Sequence, residues 1–334
     1  MKKILSFLAL AALSATAASA QMLINGAGST FAAPLYQKWF SEYAKVDPSV
    51  RFNYQAIGSG GGKKQITSET VDFGGTDGPM SDAELAAAPR TLWHIPTAAG
   101  AVVVSYNLPG DPALKLDGPT LADIFLGKVT KWNDAEIAGQ NAGVALPDMD
   151  IVVVHRSDGS GTTYIFSDYL SNVSPDWKAK VGTGTAVQWP AGLGGKGNAG
   201  VAGQIKQSTG AVGYIELAYA KENHLPFADL KNAAGNYITP TTDSVVAALA
   251  GATIPDDFRF SMVNAPGDKA YPIAGATWML VYQQQKDHDK GEKMVQFLKW
   301  AYTNGQKLGA AMDYAPLPDA VQTRVLDRIG QIKY

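Results

Sequence analysis

Apolar positions recur along the chain at two spacings. Arg51 to Ala56 alternates Phe52 and Tyr54 with polar neighbours, the period of a half-buried strand. Upstream, a short apolar strand at Leu23-Ile24 precedes Leu35, Trp39, Phe40 and Tyr43 at helical spacing. A polar helix start is predicted at Lys63, and Val71 to Gly74 predicts another strand. Ser81 and Glu84 have the spacing of a capping box, so Ser81 to Leu85 predicts a helix start. Ala101 to Tyr106 and Ile151 to His155 are continuous apolar runs, as in strands covered on both faces. Pro119 to Leu126 reads as a helix, as does the set Tyr164, Ile165, Phe166, Tyr169 and Leu170. Ile273 to Tyr282 predicts a late strand. Two amphipathic helices follow, one marked by Met294, Phe297, Leu298 and Ala301, the other by Val321, Val325 and Ile329. Strands alternate with helices, so the fold class is α/β with mostly parallel sheets. Turn residues place a crossing between two lobes near Pro96 to Gly100 and a return near Pro266 to Pro272. The expected division is a discontinuous lobe of residues 21–98 plus 271–334 and an inserted lobe of residues 99–270, with a ligand cleft between them.

The first twenty residues break this pattern. Lys2 and Lys3 lead into an apolar run from Ile4 to Leu13, and Ala18-Ser19-Ala20 supplies small residues of the A-x-A type. That layout is a secretory signal peptide, with an apolar run too short for a permanent span. Cleavage is expected after Ala20, giving an exported protein.

Composition narrows the function. Of 334 residues, 46% are hydrophobic and 17% charged, enough for a sizeable core and against disorder. The net charge is −2 with no long basic run, so a nucleic-acid footprint is absent. Cysteine is absent too, which excludes disulfides, thiolate metal sites, cysteine nucleophiles and a lipid-modified cysteine. His94, His155, His224 and His288 are scattered without metal-ligand spacing. No serine sits in a G-x-S-x-G elbow, no Walker loop is present and no carboxylate cluster suggests a cation. No cofactor or metal is expected. A secreted phosphatase would need a nucleophile or paired metals that the sequence does not supply.

Three loops share one layout. Gly28-Ser29-Thr30-Phe31, Gly58-Ser59-Gly60-Gly61 and Gly159-Ser160-Gly161-Thr162 each follow a strand and open a helix. Backbone N–H groups are unpaired at such points and the helix dipole is positive, so anions are favoured. Arg156 ends the strand before the third loop, where its fork of donors suits an anion. Asp158 is placed to hold that arginine.

Six segments of the chain closely resemble the periplasmic phosphate-binding protein (PstS) family, the substrate-binding components of high-affinity phosphate ABC transporters. They are Gly26–Tyr36, Tyr54–Ile66, Val71–Met80, Leu116–Trp132, His155–Phe166 and Trp189–Val201, with Asp313–Asp319 also fitting. The resemblance implies a two-lobed periplasmic binding protein fold, type II-like, closing over one dehydrated phosphate. It implies contacts from Thr30, Phe31 (through its backbone N–H), Ser59, Asp77, Arg156, Ser160, Gly161 and Thr162, with Asp158 behind Arg156. It also implies a periplasmic monomer, not an enzyme, that delivers phosphate to permease subunits in the inner membrane. Two positions depart from the family pattern. Ala32 stands where proline is frequent, and Gly75-Thr76 where serine or Ala-Ser is frequent. Asp77 would accept the proton that phosphate retains and sulfate lacks, a selectivity by repulsion. Alternatives on the same fold are a receptor for another tetrahedral oxyanion, or a secreted phosphate scavenger or adhesin.

Overall fold

A computed structural model describes residues 21–334. The signal peptide expected over residues 1–20, and its cleavage after Ala20, lie outside the described residues. Eleven strands occur among them: β1 (Met22–Gly28), β2 (Val50–Ala56), β3 (Phe73–Thr76), β4 (Leu92–Tyr106), β5 (Lys115–Leu116) and β6 (Val152–Arg156). The rest are β7 (Leu193–Gly195), β8 (Ala211–Glu216), β9 (Asp229–Lys231), β10 (Tyr237–Ile238) and β11 (Ala274–Tyr282). Eight of them form one sheet in the order β2-β1-β3-β11-β4-β8-β6-β7, and a small sheet runs β10-β9-β5.

The large sheet has two parallel wings and an antiparallel middle. β2-β1-β3 are parallel at one end and β8-β6-β7 at the other. Between them β11 runs antiparallel to β3 and β4, and β4 antiparallel to β8. β4 joins the wings. Its residues Leu92 to Ala101 pair with β11, while Val102 to Tyr106 pair with β8. Each wing has its own aromatic packing. Phe52 lies 5.1 Å from Phe40 and 4.3 Å from Phe297 behind the first wing. Phe166 stacks on Tyr214 at 4.2 Å behind the second. Such contacts add to the burial energy of each ring.

Two local expectations change. The crossing near Pro96 to Gly100 is strand, not turn. Thr277 pairs with Ala98 and Trp278 with Pro96, so Thr97 is an extra residue in β4. A bulge relieves the ladder where proline has no N–H to give. Thr97 is satisfied sideways, donating to Thr277 O at 3.1 Å and accepting at its carbonyl from Gln306 at 2.8 Å. The helix expected to start at Lys63 begins at Ser59 and runs to Thr67. It carries three glycines, against their propensity, because a side chain has no room there. A Cβ on Gly60 would lie 3.0 Å from Gly159 Cα, and one on Gly62 would lie 2.6 Å from Gly28 Cα. The expected capping box holds: Ser81 and Glu84 cap Asp82–Ala86 reciprocally.

One segment stands apart from its sequence neighbours. Between the helix Thr242–Ala250 and β11, residues 254–259 lean on the C-terminal helix Asp319–Ile329. Arg324 donates to Ile254 O, Pro255 O and Asp256, and Trp278 donates to Phe258 O at 2.7 Å.

Candidate functional site

The three glycine loops converge where the two wings meet. β1 delivers Ser29 and Thr30 to the start of the helix Ala33–Val46. Ser29 Oγ accepts from Ala32 N–H at 3.1 Å and donates to Asp77 at 2.5 Å. Asp77 follows β3 directly. Its N–H donates to Ser59 Oγ at 3.1 Å, and Ser59 in turn donates to the carboxylate at 3.3 Å. The first and second loops are tied by Gly58 N–H to Gly28 O at 2.8 Å.

β6 delivers Arg156 to the third loop. Ser160 caps the helix Gly161–Val173, accepting Thr163 N–H at 3.0 Å with its hydroxyl and Tyr164 N–H at 3.1 Å with its carbonyl. Among the described residues this leaves the Gly161 and Thr162 amides as open donors of that helix start. The loop abuts the other two. Gly60 N–H donates to Gly159 O at 2.9 Å. A Cβ on Gly161 would fall 2.4 Å from an Asp77 carboxylate oxygen and 2.5 Å from Ser59 Oγ, so only glycine lets the loops meet. His155 stacks on Trp189 at 4.8 Å.

The charged side chains of the site are Arg156, Asp158 and Asp77. Arg156 is buried, with Nε donating to Asp158 at 2.8 Å and Nη2 at 2.6 Å. Its Nη1 reaches Thr162 Oγ1 at 3.3 Å. Burial works to raise the Asp158 carboxyl. The Arg156 hydrogen bonds and charge, with Gly197 N–H at 3.0 Å, outweigh burial and hold it below the usual aspartate range. Asp77 is 2% exposed. Its burial pushes the carboxyl up to about 6, against hydrogen bonds from Ser29, Thr277 and Ser59 and the Arg156 charge. Among the described residues no cluster of His, Asp or Glu could hold a metal.

The structure brings Thr30, Ser59, Asp77, Asp158, Arg156, Ser160, Gly161 and Thr162 together, and places Phe31 in the same loop with its ring in the core. Sequence reasoning missed four neighbours. Ser29 holds Asp77. Asn198, buried at the start of the helix Gly197–Gln207, donates to Thr30 and Thr162 at 2.8 and 3.1 Å. Tyr219 and Tyr314 donate to Thr30 O and Phe31 O at 2.7 and 2.6 Å. Ser29 and Asn198 sit inside segments whose pattern was visible, but their partners are far away in sequence.

Comparison with known proteins places the chain in a family. The PBP superfamily domain matches residues 14–304. A phosphate-binding protein PstS from Xylella fastidiosa (strain 9a5c) is 48% identical over 301 residues, covering 88% of this chain and 81% of that one. The chain belongs to the PstS family. A Pasteurella multocida PstS is 44% identical, covering 90% of this chain and 88% of its own. The fold is similar to that of a high-affinity periplasmic phosphate-binding protein whose structure is bound with phosphate. The TM-score is 0.73 at 23% identity, over 91% of this chain and 93% of that one. The architecture of this PstS-family chain is thus the two-lobed α/β fold expected from its sequence. No helix among the described residues is long and apolar enough to cross a membrane.

Proposed function

We propose that this protein is a non-enzymatic phosphate receptor that closes on one inorganic phosphate and delivers it to the permease subunits of an ABC importer. The observation that carries the reading is Asp77: a buried carboxylate set among helix starts and beside a buried arginine. A general anion trap has no use for it. A ligand that keeps a proton at neutral pH does. The relatives named phosphate-binding protein PstS support the same ligand.

In this reading Thr30, Ser59, Asp77, Arg156, Ser160 and Thr162 contact the ligand with their side chains. Phe31, Gly161 and Thr162 contribute N–H groups. Asp158 holds Arg156 flat for two further donors. The lobes are residues 21–98 plus 271–334 and residues 99–270, except that residues 254–259 travel with the first lobe through Arg324. The hinge is β4 with β11. The mature protein begins after Ala20 and works in the periplasm as a monomer.

Calorimetric titration with phosphate, arsenate and sulfate tests the function. Phosphate and arsenate should bind one to one, and sulfate should not compete at equal concentration. Sulfate binding as tightly as phosphate, or no phosphate binding at all, would overturn it.

A further inference from the structure

Two threonine hydroxyls face the candidate site, and a hydroxyl has no fixed polarity. It can accept as readily as it donates. An anion needs both to donate. We propose that Asn198 is a positioning residue that fixes the Thr30 and Thr162 hydroxyls as donors toward the bound oxyanion. The inference rests on the phosphate-receptor reading above.

The polarity is traceable bond by bond. Glu216 N–H donates to Asn198 Oδ1 at 2.9 Å. A backbone N–H can only donate, so the amide oxygen must face it, and the amide nitrogen must face the other way. Nδ2 then has two hydrogens and two acceptors: Thr30 Oγ1 at 2.8 Å and Thr162 Oγ1 at 3.1 Å. Each threonine receives a second donor. Asn198 N–H reaches Thr30 Oγ1 at 3.3 Å, and Arg156 Nη1 reaches Thr162 Oγ1 at 3.3 Å. Both lone pairs of each hydroxyl are therefore engaged. Each proton is left to point elsewhere, and Thr162 finds Asn198 Oδ1 only at 3.5 Å. Asn198, Thr30 and Thr162 are all buried, so water does not readily reset this order. The arrangement also couples the lobes, since Thr30 comes from the first loop and Asn198 with Thr162 from the opposite wing.

A double-mutant cycle measured with inorganic phosphate tests the assignment. Asn198→Ala should weaken binding by about tenfold, the loss of one well-placed hydrogen bond. The same substitution in a Thr30→Val/Thr162→Val background should have almost no further effect, because Asn198 acts through those hydroxyls. Asn198→Asp should weaken binding far more near pH 8, since a carboxylate accepts both hydroxyl protons, and should recover as the pH falls and the carboxyl regains a donor. Additive losses in the cycle would overturn the proposal, as would wild-type affinity in Asn198→Ala. Loss of ligand-free stability in step with affinity would mark the residue as structural and overturn it too. Should Asn198→Asp fail to fold, the alanine cycle decides alone. Wild-type protein that ignores phosphate would instead overturn the functional reading beneath this one.

Discussion

Asp77→Asn isolates the energy stored in the buried carboxyl. In the folded protein Asp77 is pushed from 3.8 up to about 6, chiefly by burial. The folded state therefore holds a proton that the unfolded chain has released, and stability falls as pH rises from about 4 to about 6. Above that window the penalty is complete, at about 3 kcal/mol. Near pH 4.5 it is only about 1 kcal/mol. Asparagine removes the titration. It also disturbs the bonds from Ser29 and Ser59, but that loss is the same at every pH and cancels in the difference. The stability of Asp77→Asn relative to wild type should thus improve by about 2 kcal/mol between pH 4.5 and pH 8. Urea unfolding of both proteins at the two pH values, without phosphate, measures it. An unchanged gap would mean that Asp77 is ionised in the folded protein at both pH values, and that burial does not govern it.

Three further outcomes follow from the same geometry. Arg156→Ala should weaken phosphate binding by about 2–5 kcal/mol by calorimetry; it strands Asp158, so adding Asp158→Asn should restore ligand-free stability but not affinity. Glu216 is wholly buried, its Oε1 has no partner among the described residues, and burial holds it well above the usual glutamate range. Wild type should therefore lose stability relative to Glu216→Gln as pH rises above the glutamate's unfolded value, as read by denaturant midpoints. Phosphate should raise the urea midpoint of unfolding by binding the folded state selectively, and sulfate at equal concentration near neutral pH should not.

Much of this site was legible because its parts are local. A strand, a glycine, a hydroxyl and a helix start recur within a few residues, and Arg156 and Asp158 lie two apart. What stayed hidden depends on distance in the chain. Asn198 meets Thr30 across 168 positions, and Tyr314 meets Phe31 across 283. No periodicity reports such contacts. The helix start at Ser59 was hidden for another reason. Three glycines argue against a helix on propensity, and only the approach of two neighbouring loops makes them necessary. Pro96 misled in the same way, since a bulge in the partner register lets proline lie inside a strand. Segment 254–259 reads as part of the chain around it, yet Arg324 ties it to the C-terminal helix.

Under the proposed function, charge balance sets how the site tells anions apart. Arg156 spends two of its donors on Asp158, so the pair is close to neutral. With Asp77 ionised, the protein's side of the cleft is net negative before any ligand enters. Attraction between full charges then does little, and oriented N–H and O–H groups must supply the affinity. Phosphate removes the remaining conflict by giving Asp77 a proton. Sulfate has none to give near neutral pH, so it binds only the fraction of protein whose Asp77 is already protonated. That fraction follows from the carboxyl's value of about 6. It is about 1% near pH 8 and about 90% near pH 5, so apparent sulfate affinity should rise by roughly 100-fold across that range. Phosphate affinity should change far less, because either partner can bring the shared proton. The measurement is sulfate and phosphate titration at fixed ionic strength from pH 8 to pH 5, in wild type and Asp77→Asn. The mutant should bind sulfate with no such slope. A flat sulfate profile in wild type would show that Asp77 is not the group that excludes it.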